Sequence, residues 1–148
     1  MKIATKLIML SGISEALSPD GKCRILSLRG GGVHGAFEVG ALKAMVELMP
    51  PEELRYEYVS GVSIGAINAS IFSTYETGDE KRAVEDMAKY YDGRSSDDAY
   101  KIYKNPLSWF QKDSISDNTG FREQVDLALG DKPFKRKFSI LATDMNQG

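Results

Sequence analysis

The sequence is poor in the residues on which several chemistries depend. Among its 148 residues there is one cysteine, Cys23, so no internal disulfide and no cysteine-based zinc cluster can form. There is one histidine, His34, which excludes a multi-histidine metal site. Neither sign of charge predominates: 19 basic residues face 21 acidic ones, for a net of −2. Without a basic stripe, a nucleic-acid partner is not expected. Long apolar runs are missing too. Tyr58 to Tyr75 is uncharged, but Ser60, Gly61, Ser63, Gly65, Asn68, Ser70, Ser73 and Thr74 make it too polar to sit in lipid. It reads as a buried strand followed by a helix.

What is present fits one globular domain: 42% hydrophobic and 27% charged residues, with 14 glycines and five prolines. A chain of this size can bury roughly two-thirds of its unfolded surface. The first 20 residues are set apart as a leader. Lys2 and Lys6 precede Leu7-Ile8-Met9-Leu10, and Ser14-Glu15-Ala16 supplies small residues where a signal peptidase would cut, although Lys6 interrupts a short apolar stretch. A signal peptide would send the chain into the secretory pathway. Without one, the cytoplasm or a membrane surface is expected. Residues 21–148 form the domain.

Arg24-Ile25-Leu26-Ser27-Leu28 reads as a short strand, followed at once by Gly30-Gly31-Gly32. From Ala36 to Leu48 the apolar residues Phe37, Ala41, Leu42, Met45, Val46 and Leu48 keep a helical period, and Pro50-Pro51 stops it. Tyr56 to Ser60 is a second strand; Gly61-Val62-Ser63-Ile64-Gly65 then turns into a helix reaching about Tyr75. Gly78-Asp79 breaks the chain ahead of a third helix, with Val84, Met87, Ala88 and Tyr91 on one face. Asp92 to Gly120 is polar and poorly periodic, with an aromatic island at Trp109-Phe110. Phe121 to Leu129 is helical, and Phe138 to Thr143 is a last strand. Strands alternating with helices predict an α/β fold, a three-layer sandwich around a largely parallel sheet.

Two glycine-rich strand-to-helix junctions carry the chemistry. Gly61-x-Ser63-x-Gly65 has the form of a nucleophile elbow, a sharp turn that lifts a serine above the sheet. Residues two before and two after that serine have no room for a Cβ, hence Gly61 and Gly65. The helix starting behind Ser63 favours negative charge there. Gly30-Gly31-Gly32-Val33-His34-Gly35 exposes successive backbone amides that can point at an oxyanion. Either motif alone is weak in a glycine-rich chain. Their pairing, each between a strand and a helix and about 30 residues apart, is specific.

The stretches Ile25-Leu26-Ser27-Leu28-Arg29-Gly30-Gly31-Gly32-Val33-His34-Gly35-Ala36, Gly40-Ala41-Leu42 and Ser60-Gly61-Val62-Ser63-Ile64-Gly65-Ala66-Ile67-Asn68-Ala69 resemble the patatin-like phospholipase family. The resemblance implies a lipid acyl hydrolase. Ser63 would be the nucleophile, Gly30, Gly31 and Gly32 the oxyanion hole, and Gly35, Gly61 and Gly65 the support of the loop and elbow. It implies a lipid substrate, met at a membrane surface, and no metal or organic cofactor. The family often has Asp where this chain has Arg29, and Arg or Lys where it has His34. The family's catalytic aspartate lies in a downstream D-G-G or D-G-A motif. None follows Ser63, so the domain reads as incomplete at its C-terminal side, and Asp144 is not assigned that part.

The residues themselves point the same way. An α/β-hydrolase triad needs a histidine after its serine, and none follows Ser63. A serine–aspartate pair is the better mechanism. Two other readings stay open. Gly30-x-Gly32-x-x-Gly35 satisfies a dinucleotide fingerprint, although its acidic partners, Glu52, Glu53 or Glu57, precede the second strand rather than end it. A catalytically silent lipid-binding fragment is the other. Simpler expectations hold elsewhere: His34 as a loop residue with one polar contact, Trp109 and Phe110 as core plugs, Lys135-Arg136-Lys137 as a solvated turn, and Cys23 as a small buried or flanking hydrophobe.

Overall fold

A computed structural model describes residues 18–93, 101–102 and 116–141. The leader up to residue 17, Trp109 and Phe110, and Asp144 lie outside these. Strand β1 (Ile25–Leu28) leads through a 3-10 turn (Gly32–His34) into helix α1 (Gly35–Leu48). A second 3-10 turn (Pro51–Glu53) precedes β2 (Tyr58–Val62), then α2 (Ile64–Ser73) and α3 (Glu80–Tyr91). Two short strands, β3 (Lys101–Ile102) and β4 (Ser116–Asp117), pair antiparallel; α4 (Thr119–Leu129) and β5 (Lys137–Leu141) follow.

The main sheet has the order β1-β2-β5 and is parallel throughout. Leu28 lies beside Gly61, and Gly61 beside Ile140, so the three strands end together at the edge where both glycine motifs begin. Parallel strands need crossover connections, and the helices supply them. Alternation sets the two faces of the sheet: Leu26, Leu28, Val59 and Phe138 point into the helices, and Val59 is wholly buried. The opposite face bears Ile25 and Leu141, each 62% exposed, with Ser27 and Ser60 hydrogen-bonded between them. The described helices therefore cover one face, giving two layers of the three-layer sandwich.

Helix α2 is the centre of the packing, buried along Asn68–Ser73 and set against β2 and β5. Its hydroxyls are satisfied locally: Ser70 donates to the Ala66 carbonyl at 2.8 Å and Ser73 to Ala69 at 2.6 Å. This is how so polar a segment stays in the core. The helix stops at Ser73, ahead of Tyr75, because the next amides, Thr74 and Tyr75, bond three residues back rather than four. Helix α3 packs on α1 and α2 through Ala83, Val84, Met87 and Tyr90. Helix α4 starts two residues before Phe121, at Thr119, where the Asp117 carboxylate accepts the Thr119 amide.

Two expectations are corrected. Arg136 is not in a solvated turn: its side chain is 1% exposed and its guanidinium lies over the Phe72 ring. It donates to Glu80 at 3.0 Å and to the carbonyls of Tyr56, Tyr75 and Glu76. The Glu76 carbonyl also accepts the Asp79 amide at 3.0 Å and the Tyr56 carbonyl the Thr77 hydroxyl at 3.4 Å, and the guanidinium, with five N–H donors, reaches all three carbonyls and Glu80 at once. Tyr56 and Glu57 are taken up in this and a neighbouring network, so β2 begins at Tyr58 rather than Tyr56. Cys23 flanks β1 and is exposed.

Candidate functional site

Ser63 occupies the turn between β2 and α2 with φ 57° and ψ −125°, and among the described residues it is the one non-glycine residue at positive φ. Such a backbone costs on the order of 1–3 kcal/mol and persists only when the surroundings enforce it. The enforcement is steric. A Cβ on Gly61 would collide with the Gly65 carbonyl and lie 2.7 Å from the Ala66 amide nitrogen. A Cβ on Gly65 would lie 2.5 Å from the Leu28 carbonyl and 2.6 Å from that of Arg29. The turn is thus clamped against the end of β1. Ser63 itself is exposed, its hydroxyl has no hydrogen-bond partner among the described residues, and the first turn of α2 opens behind it.

The glycine run passes directly alongside. A Cβ on Gly30 would stand 3.1 Å from the Ser63 Cβ and 3.3 Å from the Val62 carbonyl. Gly32 has φ +56°, a conformation open to glycine and strained for other residues. His34 donates from Nδ1 to the Gly31 carbonyl at 2.7 Å, which requires the Nδ1–H tautomer. Together with the His34 amide, which donates to the same carbonyl at 3.2 Å, that bond orients the Gly31–Gly32 peptide. Gly35 sits where α1 meets α2: a Cβ there would strike Ile64 and come within 2.6 Å of the Tyr91 hydroxyl.

A groove of about 630 Å³ opens from Gly30 and Gly31 along β1 and α1. Leu26, Leu28, Phe37, Ala41, Leu42 and Met45 make its wall apolar, with Arg29, His34 and Glu38 also lining it. Phe37 stands 78% exposed on its rim. The start of the glycine run thus borders both the Ser63 turn and the apolar groove.

A family model described as patatin-like phospholipase matches residues 26–145. The chain belongs to the patatin-like phospholipase family. Membership implies lipid acyl hydrolysis. No curated protein and no solved structure matches the chain. In this patatin-like phospholipase domain no described helix is long and apolar enough to cross a membrane.

The remaining candidates fall apart in space. Glu52 and Glu53 lie in the 3-10 turn, and Glu57 stands at the start of β2, the end of the sheet away from the glycine loop. There Glu57 accepts the Arg24 amide at 2.7 Å and the Ser18 hydroxyl. None of these three glutamates is placed beside the glycine loop to meet a dinucleotide ribose. Among the described residues of this patatin-like chain, no cluster of three or more His, Cys, Asp or Glu is placed to hold a metal. Sequence reading missed Glu38, Asn68 and Tyr91, which join the two motifs from behind. One signal was available: Asn68 is an amide in a helix otherwise made of small and apolar residues.

Proposed function

We propose that this domain hydrolyses lipid acyl esters through Ser63. The serine oxygen attacks the acyl carbon, and a carboxylate takes its proton as the oxygen–carbon bond forms. The carbonyl oxygen becomes an oxyanion facing the amides of Gly30, Gly31 and Gly32. The bond to the alcohol breaks, the alcohol leaves with the proton, and water attacks the acyl-serine by the reverse route. The carboxylate is an aspartate in a serine–aspartate pair. Asp144 is not assigned that part and lies outside the described residues. The cycle calls on neither metal nor organic cofactor.

The observation that carries this reading is the adjacency of Gly30 to Ser63, which sets the start of the glycine run beside the serine turn. The apolar groove leading from Gly30 supports an acyl chain over a small polar ester. Its length along α1, from Phe37 to Met45, is about 12 Å at 1.5 Å per residue, matching roughly ten carbons.

The test is intact mass after reaction with a fluorophosphonate, with Ser63→Ala as control. One adduct that disappears in the variant is the expected result. A folded chain that stays unmodified yet binds phosphatidylcholine vesicles overturns hydrolysis in favour of a silent lipid-binding module. Saturable NAD binding indifferent to Ser63→Ala would favour the nucleotide reading.

A further inference from the structure

A chain of hydrogen bonds runs behind the two glycine motifs and contacts neither through the side chains of Ser63 or His34. Glu38 lies one turn into α1 and is half-buried. Its Oε1 accepts the Arg29 amide at 2.8 Å, and its Oε2 accepts Nδ2 of Asn68 at 3.1 Å. Asn68 is fully buried in α2, one turn beyond Ser63. Its Nδ2 also donates to the Gly35 carbonyl at 3.2 Å, and its Oδ1 accepts the Tyr91 hydroxyl at 2.7 Å. Every hydrogen of the Asn68 amide is used. Buried polar groups satisfied in this way hold one arrangement against its neighbours, because any slip strands a donor.

The position of the chain gives it a consequence. Arg29 is the residue immediately before Gly30, and its amide is the last fixed point before the run of glycines. Glycines impose no direction of their own. The place from which Gly30, Gly31 and Gly32 set out is therefore fixed by the carboxylate that holds Arg29. The same carboxylate grips α2 through Asn68, and α2 carries Ser63 at its start. One side chain thus ties together the loop and the turn whose separation matters.

We propose that Glu38 is a positioning residue, which through Arg29 and Asn68 sets the distance between the glycine amides and Ser63. This rests on the reading of Ser63 as nucleophile. A displacement of about 1 Å between reacting groups can cost on the order of a hundredfold in rate. Both partners of Glu38 are donors, so the carboxylate is needed rather than a carboxamide. A glutamine keeps an acceptor at only one of the two oxygen positions and turns its NH₂ against the other donor.

The test compares Glu38→Gln with Glu47→Gln, a change of the same kind on the exposed side of α1. With a medium-chain p-nitrophenyl ester, Glu38→Gln should lower kcat roughly tenfold to a hundredfold with KM within about twofold of the parent. Glu47→Gln should match the parent. Hydrogen exchange of the Arg29 amide should quicken about tenfold in Glu38→Gln alone, by more than any fall in melting temperature accounts for. This last measurement is independent of turnover. Exchange at the parental rate overturns the tie whatever the activity, and so does a fall in kcat that only tracks loss of folded protein. If Ser63→Ala leaves labelling and turnover intact, the nucleophile reading fails instead, and the exchange result still decides whether Glu38 holds the loop.

Discussion

Gly65 lies against the backbone of Leu28 so closely that a Cβ on it would come within 2.5 Å of the Leu28 carbonyl oxygen. This contact presses the start of α2 onto the end of β1, and with it the serine turn onto the glycine loop. The obstacle is backbone, which cannot rotate aside as a long side chain can. Gly65→Ala should therefore cost about 1–3 kcal/mol of stability, as overpacking does. It should also slow fluorophosphonate labelling by more than the loss of folded protein explains. Urea denaturation and labelling rate on the same sample check this. Parental labelling would mean that the close approach of the two turns is dispensable.

His34 holds the Gly31 carbonyl from Nδ1, and the geometry separates two conservative replacements. An asparagine amide nitrogen can occupy the place of Nδ1, whereas a glutamine amide reaches the place of Nε2. His34→Asn should keep labelling within about threefold of the parent. His34→Gln should lose about tenfold, less than the 10²–10³ of an oxyanion donor removed outright, because the peptide is loosened rather than deleted. Equal rates in both variants would show that the bond does not orient the Gly31–Gly32 peptide.

Much of this architecture was legible in the residues, for physical reasons that also mark where legibility stops. The run Phe37 to Leu48 and the stop at Pro50-Pro51 announce α1, because helical period and a missing amide are local properties. The parallel α/β class follows from elements alternating along the chain. Arg136 was misread because Lys135 and Lys137 flank it, and nothing local distinguishes the middle cation of three. Its partners, Glu80 and the carbonyls of Tyr56, Tyr75 and Glu76, are distant in sequence and mostly backbone. Glu38 and Asn68 escaped notice in the same way, since an acidic residue in a first helical turn already has a reason to be there. Spacing could bring Ser63 and Gly30 into one hypothesis; only the fold sets them side by side.

Arg136 and Glu80 form an ion pair with both side chains nearly inaccessible, 1% and 4% exposed. Breaking such a pair from one side leaves a charge in a poor solvent, so Arg136→Met should cost about 3–5 kcal/mol. Removing the second charge as well should restore part of this: Arg136→Met with Glu80→Met should be more stable than Arg136→Met alone. Recovery should stay incomplete, because the carbonyls of Tyr56, Tyr75 and Glu76 and the amides of Tyr56 and Gly78 each lose a hydrogen bond. Chemical denaturation of the three chains measures it. A double variant no better than the single would place the cost in those backbone groups rather than in the stranded carboxylate.

Glu57 ties the chain around Ser18 and Arg24 to the start of β2, and this tie should be sensitive to acid. Burial raises the Glu57 carboxyl, but the Ser18 hydroxyl and the Arg24 amide that donate to it outweigh burial, so it lies below its ordinary 4.5. A group depressed on folding contributes stability that is present above its unfolded value and lost as pH falls through its folded one. Glu57→Gln should therefore be less stable than the parent at pH 7, by about 1 kcal/mol once solvent screening is allowed for. Below roughly pH 4.5 the parent's advantage should shrink as its own carboxyl takes up a proton. Urea midpoints at pH 7, 5 and 3.5 for both chains test this. Two curves displaced by the same amount at every pH would show that Glu57 contributes shape alone, and that its charge is not what holds Ser18 and Arg24 to β2.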